Sequence, residues 1–316
     1  MKPPVSIVIP VYNREATLER TLRSVDAQSV APAQVVLVDN GSTDRSREIM
    51  LRWADGKEYA KVVTEFKRGA CAARNRGLAE VVTEFVDFFD SDDVMLPNHI
   101  EDFTKAMSKH PEGDVFGRNI VTRMLDGTER TNYFTAGAPM FHHLFRSSLS
   151  TGRIMVRTEL VRRIGGWDES LTGWDDYELG VRLLLATKNV VAVPGKPSVV
   201  AYQQAESLTG IDYSSHPERW EGALERVREV CTAAGRDDLL RWVDARCMIL
   251  AAQYAAEALG LIDENARCRA FQLAHDLRES VLERTDAPMR MKMLYAHNLR
   301  FRRLTWVFAR MLFPFG

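Results

Sequence analysis

Four short runs of branched aliphatic and aromatic residues crowd the opening third of the chain: "VSIVI" (5–9), "QVVLV" (34–38), "KVVTEF" (61–66) and "EFVDFF" (84–89). They lack the polar alternation of a strand with one wet face, so they suit a sheet covered on both sides. Between them, "EATLERTLRSVDAQ", "TDRSREIMLRWA" and "ACAARNRGLAEV" place apolar residues at helical spacing. Strand, helix, strand, helix confines such a chain to a parallel sheet joined by right-handed crossovers. Asn13 and Ser42 stand where helix N-caps belong, and Pro97 suits the first turn of "PNHIEDFTKAMSKH". Ligands of such sheets bind beyond the carboxyl ends of the strands.

Composition narrows the class of partner. With 316 residues, 46% hydrophobic and 27% charged, there is enough chain for one large α/β domain plus an accessory segment. A formal net charge of −1 gives no overall pull toward nucleic acid, and no such partner is expected. Cys71, Cys231, Cys247 and Cys268 form no CxxC pair and no zinc-ligand spacing, so a reduced, cytosolic chain is the simplest reading. "MKPPVSIVIPVYN" does not resemble a signal peptide, and no apolar stretch reaches the roughly 18 residues of a membrane span.

Asp39, directly after "QVVLV", and Asp90, directly after "EFVDFF", should project from strand ends into one crevice. Gly41, Gly69 and Gly77 do not form GxGxxG, and no GxxxxGK[ST] is present, so the usual dinucleotide and P-loop fingerprints are missing. In "FFDSDDV", Asp90 and Asp92 are spaced so that two oxygens can approach one hard divalent cation, Mg2+ or Mn2+. An ion with so few protein ligands completes its shell from water and phosphate, which points to a phosphorylated ligand. The structural alternative is a solvated turn in which Asp93 caps the next helix. A second acidic cluster, Asp175, Asp176 and Glu178 in "GWDDYELGVRLL", opens a helical pattern. Three acids at a helix N-terminus are also explained by the dipole, at about 0.3–1 kcal/mol each.

Five segments in order, "VSIVIPVYNRE", "VVLVDNGSTDRS", "GACAARNRGL", "FFDSDD" and "IGGWDESLTGWDDYELGVRLL", resemble the family 2 glycosyltransferases over about residues 3–210. The resemblance implies the inverting GT-A fold, an α/β nucleotide-diphospho-sugar transferase fold with a mostly parallel central sheet flanked by helices. Position by position, it implies that Pro10, Tyr12 and Asp39 hold base and ribose and that Arg74 lies near the nucleotide phosphates. Asp90 and Asp92 match the DxD motif that binds the sugar nucleotide and its Mn2+ or Mg2+. Asp176 matches the catalytic base, with Asp175 replacing the usual glutamate. For Tyr12 and Arg74 the structural alternatives are a ring packed on the sheet and an ion pair closing a helix. The implied activity is transfer from a nucleotide diphosphate sugar, with UDP the habitual carrier, to a hydroxyl of a glycan or lipid-linked glycan. One carboxylate then serves as general base, and a cation neutralises the leaving diphosphate; a hydrolase would instead pair two carboxyl groups across the bond.

The chain also departs from the family pattern. Where relatives carry a "YRxH"-like stretch it has "AYQQAESLT" (201–209), with Gln203 at the arginine position and no histidine. His142 and His143 in "MFHHLF" are weak substitutes as metal ligands, because adjacent side chains diverge. Residues 115–155 and "GGWDESLTGW" should wall the acceptor side; Trp174 and Asp175 are its candidates, with Trp174 a stacking face and Trp167 assigned to the core. The expected division is a catalytic domain over 1–213, with a nucleotide half at 1–110 and an acceptor half at 111–213, then a helical extension over 214–316 packed on that domain or on a second subunit. The last thirty residues (287–316) hold Arg290, Lys292, Arg300, Arg302, Arg303 and Arg310 and no acid. They read either as a basic amphipathic anchor on an anionic membrane, which would place the protein on the inner face of the cytoplasmic membrane, or as a dimer or core-packing helix. Two other functions fit an acidic α/β crevice: a sugar nucleotidyltransferase, which would release pyrophosphate, and a non-catalytic sugar-nucleotide binder or scaffold.

Overall fold

The four apolar runs form strands β1 (Val5–Val11), β2 (Gln34–Asp39), β3 (Ala60–Thr64) and β4 (Phe85–Phe88) in the computed structural model, which describes residues 4–204, 212–301 and 304–314. Helices α1 (Leu18–Asp26), α2 (Ser46–Ala54) and α3 (Ala70–Glu80) lie between them. The order β3-β2-β1-β4 is parallel throughout. Ile7, Ile9, Val35, Leu37 and Val86 are fully buried, as strands covered on both faces require. Val11 is level with Asp39, and Asp39 with Thr64, so three strands end at one edge.

The chain continues through β5 (Val94–Met95), α4 (His99–Lys109), β6 (Val115–Gly117), the hairpin of β7 (Ile120–Arg123) and β8 (Glu129–Asn132), α5 (Pro139–Arg146) and β9 (Ile154–Arg157). Then come α6 (Thr158–Arg163), α7 (Asp175–Ala186), β10 (Val190–Ala192) and β11 (Val199–Tyr202). Among the described residues the main sheet has seven strands, β10-β6-β9-β4-β1-β2-β3, with β9 antiparallel to both neighbours. A smaller sheet runs β5-β11-β7-β8. Asp87, His99 and Ser198 hydrogen-bond in series, at 3.0 Å (Nε2 to Oδ2) and 2.8 Å (Nδ1 to Oγ). All three are at most 1% exposed, so this Ser-His-Asp set is a latch between β4, α4 and the approach to β11, out of reach of any substrate.

Three local expectations are corrected. Helices α1 and α2 start at Leu18 and Ser46, several residues beyond Asn13 and Ser42. Asn13 sits at φ 49°, its Oδ1 accepting from the Thr43 amide (2.8 Å) while the Ser42 hydroxyl accepts from the Asn13 amide (3.2 Å). These side chains tie two loops together instead of capping helices. Pro97 lies in the turn before α4, and Asp93 accepts from the Tyr202 amide (2.9 Å), which joins it to β11 and not to a helix start.

The described residues divide into two units, one holding those up to 139 and from 148 to 204, the other 140–147 and those from 212 onward. Most of α5 therefore groups with the C-terminal helices and not with the acceptor half over 111–213 that the sequence predicts for it. Those helices are α8 (Pro217–Ala233), α9 (Leu240–Ala258), α10 (Glu264–Arg284), α11 (Pro288–Arg300) and α12 (Thr305–Leu312). Helix α9 packs on α8, α10 and α11 through residues such as Val243, Met248, Ala251 and Tyr254. Its buried Asp244 accepts from Arg228 and Arg284. The expected single basic helix over 287–316 is two helices, α11 and α12, with Met291 and Leu294 of α11 buried. Arg302, Arg303 and residues 315–316 lie outside the described residues. Among the described residues no helix is long and apolar enough to cross a membrane.

Candidate active site

The level ends of β1 and β2 make the first half of the site. Asp39 is buried, with its Oδ1 accepting from the Ser42 amide (3.0 Å) and its Oδ2 3.5 Å from Arg47. Pro10 lies near the end of β1, opposite Val38 of β2. Tyr12 is 46% exposed, with the Arg68 guanidinium 4.2 Å from its ring centroid, so its ring is not packed away on the sheet.

Arg74, on α3 and 7% exposed, joins the two acidic clusters. Its Nη1 donates to Asp175 Oδ2 (2.5 Å), its Nη2 to Asp90 Oδ1 (3.0 Å), and its flat face lies 4.4 Å from the Trp167 ring. Burial by itself would depress the guanidinium pKa, but Asp175 and then Asp90 outweigh it and hold the pKa above its ordinary value. Thr151 donates to the other oxygen of Asp90 (2.7 Å), and the Cys71 thiol lies 3.2 Å from Asp175 Oδ2. Burial, with Asp175 next, pushes that thiol's pKa up, so Cys71 remains a donor and not a nucleophile. Trp167 is core, as expected, packed edge-on against Phe88.

Asp92 meets Arg14 at 3.7 Å, a long contact, and burial followed by the Asp90 charge raises its carboxyl pKa. Asp93 is raised further, by burial and then by Asp90 and Asp92. Negative charge is thus crowded at this loop beyond what its arginines offset. Asp90 and Asp92 are hard oxygen donors, and a crowded pair of this kind fits a divalent ion that takes its remaining ligands from phosphate and water. Among the described residues no three His, Cys, Asp or Glu side chains form a ready-made cage. His142 and His143 lie on α5 in the other unit; His142 packs against Phe141 and Trp306, and its pKa is lowered by burial and then by Arg146 and Arg310. Gln203 accepts from the Leu125 amide (3.3 Å), and residues 205–209 of "AYQQAESLT" lie outside the described residues.

In the first turn of α7 each acid has a distinct setting. Glu178, fully buried, takes Arg182 in a bidentate pair, both contacts 2.6 Å, and is structural. Asp175 is held by Arg74 and Cys71. Asp176 has its carboxyl pKa pushed up to about 7 by burial first and by the Asp175 charge second, with Arg74 pulling the other way. A base matched to neutral pH is what proton transfer at that pH favours. Trp174 is only 7% exposed, its ring against Tyr177 and its backbone at φ 49°, so it does not offer the open stacking face expected of it. Sequence reasoning missed Arg14, Cys71 and Thr151, whose roles exist only through partners far along the chain.

Residues 6–163, half of the chain, match the family model described as Glycosyl transferase family 2. A curated relative from Escherichia coli, the UDP-Glc:alpha-D-GlcNAc-diphosphoundecaprenol beta-1,3-glucosyltransferase WfgD, is 33% identical over 114 residues, covering 36% of this chain and 44% of the relative. The chain spans less than half the length of this and comparable curated relatives. Staphylococcus aureus TarS (1–349), solved with UDP-GlcNAc, superposes with a TM-score of 0.71 at 20% identity, covering 99% of this chain and 90% of that one. The mannosyltransferase PcManGT of Pyrobaculum calidifontis, solved with GDP-Man and Mn2+, gives 0.50 at 17% identity, covering 99% and 84%. At these identities the structural likeness is one of fold.

Proposed function

The chain belongs to glycosyl transferase family 2, and on that footing we propose that it moves a sugar, with inversion, from a nucleoside diphosphate carrier to a hydroxyl of a glycan or lipid-linked glycan. The observation that carries this reading is the Arg74 bridge, which sets the Asp90–Asp92 loop beside the α7 acids. UDP as the carrier is supported by the UDP-Glc of WfgD's name and the UDP-GlcNAc of the TarS complex.

Pro10, Tyr12 and Asp39 would receive base and ribose at the open ends of β1 and β2, and Arg74 would lie near the diphosphate. Asp90 and Asp92 would hold Mn2+ or Mg2+, whose charge, when bound, offsets the charge that grows on the leaving diphosphate; the Mn2+ of the PcManGT structure supports that choice. Asp176 takes the proton of the acceptor hydroxyl as it attacks the face opposite the leaving group. Asp175, held by Arg74 and Cys71 beside Asp176, adds to burial in raising that carboxyl, and it would face the acceptor side.

The test is Asp176→Asn. Turnover should fall by about 10²–10⁴-fold, the usual contribution of a positioned base, while titration calorimetry with the nucleotide sugar gives an affinity within about twofold of the parent. A near-normal rate would take Asp176 out of the role. Release of pyrophosphate instead of nucleoside diphosphate would replace transfer by a nucleotidyl reaction.

A further inference from the structure

The tail, which reads in the sequence either as an anchor or as a packing helix, packs along one side of α11 and leaves the other side exposed. Helix α11 has two apolar faces. Met291 and Leu294 are fully buried against the helical unit. A second stripe, Met289, Met293, Ala296 and Leu299, follows the helical repeat on the exposed side, with Met289 68% and Met293 47% exposed. Arg290, Lys292 and Arg300 are exposed on the same helix, and Phe301, 61% exposed, extends the apolar surface past its end. No acidic residue occurs between 287 and 316. Leu299 also lines a groove of about 300 Å3 with Leu259, Phe271, Tyr295, His275 and Arg278.

We propose that the exposed face of α11 is a docking surface for an anionic lipid bilayer, with Met289, Met293, Leu299 and Phe301 entering the acyl boundary and Arg290, Lys292 and Arg300 meeting the lipid phosphates. Buried faces of globular helices are apolar; an exposed face that is both apolar and uniformly cationic suits an interface apolar below and negative above. A symmetric pairing with a second copy would bring like cations together, so the same charge pattern disfavours that occupant. The surface stands independently of the transfer chemistry proposed above.

The test is co-sedimentation of the full chain with large vesicles of phosphatidylcholine, with and without one quarter phosphatidylglycerol, at low and high salt. Binding is expected only to the anionic vesicles and is released by salt. The variant Arg290→Gln/Lys292→Gln/Arg300→Gln should bind about a hundredfold more weakly, at about fivefold per cation. Met293→Ser/Phe301→Ser should also bind less, with a melting temperature like the parent's in both variants. Equal binding to neutral vesicles, or unchanged binding of the cation variant, overturns the proposal. So does absence of binding, and a dimer in light scattering that dissociates on Met293→Glu would give the face to a second copy.

Discussion

At the scale of single residues, two carboxylates adjacent in sequence are given different surroundings by a side chain a hundred positions earlier. Arg74 and Cys71 take Asp175, and the charge so fixed adds to burial in raising Asp176 to about 7. If Asp176 is the base, only its deprotonated form works, so turnover should rise about tenfold per pH unit up to roughly 7 and then level. Asp175→Asn removes the neighbouring negative charge, and the acid limb of a pH–rate profile should move to lower pH; an unmoved limb would mean that another group sets it. Stability has the opposite sign. A carboxyl with a raised folded pKa binds its proton more tightly folded than unfolded, so its contribution is present below the unfolded pKa and is lost as pH rises through about 7. Asp176→Asn should therefore melt no lower than the parent at pH 8. Arg74→Met leaves Asp90 and Asp175 without their counter-charge. Because both acids keep some exposure, urea unfolding should show a loss near the lower end of the about 3–5 kcal/mol seen for broken buried pairs.

At the scale of elements, α3 presents Arg74 only because it lies tight against β1. A Cβ on Gly77 would come within 2.3 Å of Val8 Cγ1, and a valine methyl on a central strand has nowhere to swing. Alanine would gain about 1 kcal/mol of helix propensity but overpack the contact by about 1–3 kcal/mol, so overpacking should win. Gly77→Ala is expected to destabilise by roughly 1 kcal/mol net, and because α3 must shift to relieve it, to weaken donor binding as well; a more stable variant with normal affinity would refute this. Strand identity was legible in the sequence because unbroken apolar runs have few other uses. Helix starts were not: Asn13 and Ser42 have the chemistry of caps, but each found a partner in the neighbouring loop, and a capping reading weighs only local alternatives.

At the scale of the whole molecule, a donor and ion bound across two strand ends and the acidic loop should stabilise the fold by mass action. At a hundred times its dissociation constant a ligand adds about 2.7 kcal/mol, which for a unit of this size is roughly 5–10 °C in melting temperature. UDP-sugar with Mn2+ should give such a shift in a thermal melt. Asp92→Ala should lose the part that depends on Mn2+, and an undiminished shift would remove Asp92 from the ion site. The sequence by itself determined the parallel half of the sheet, the family, and the two acidic clusters, because periodicity and residue chemistry are local properties that survive without coordinates. Only the tertiary structure decided which acid Arg74 holds and which has its pKa raised, that Glu178 is structural and Trp174 covered, and that α11 keeps one apolar face in the open. Those outcomes depend on burial and on partners such as Arg74 with Asp175 or Thr151 with Asp90, where field strength falls with distance in space and not with separation along the chain.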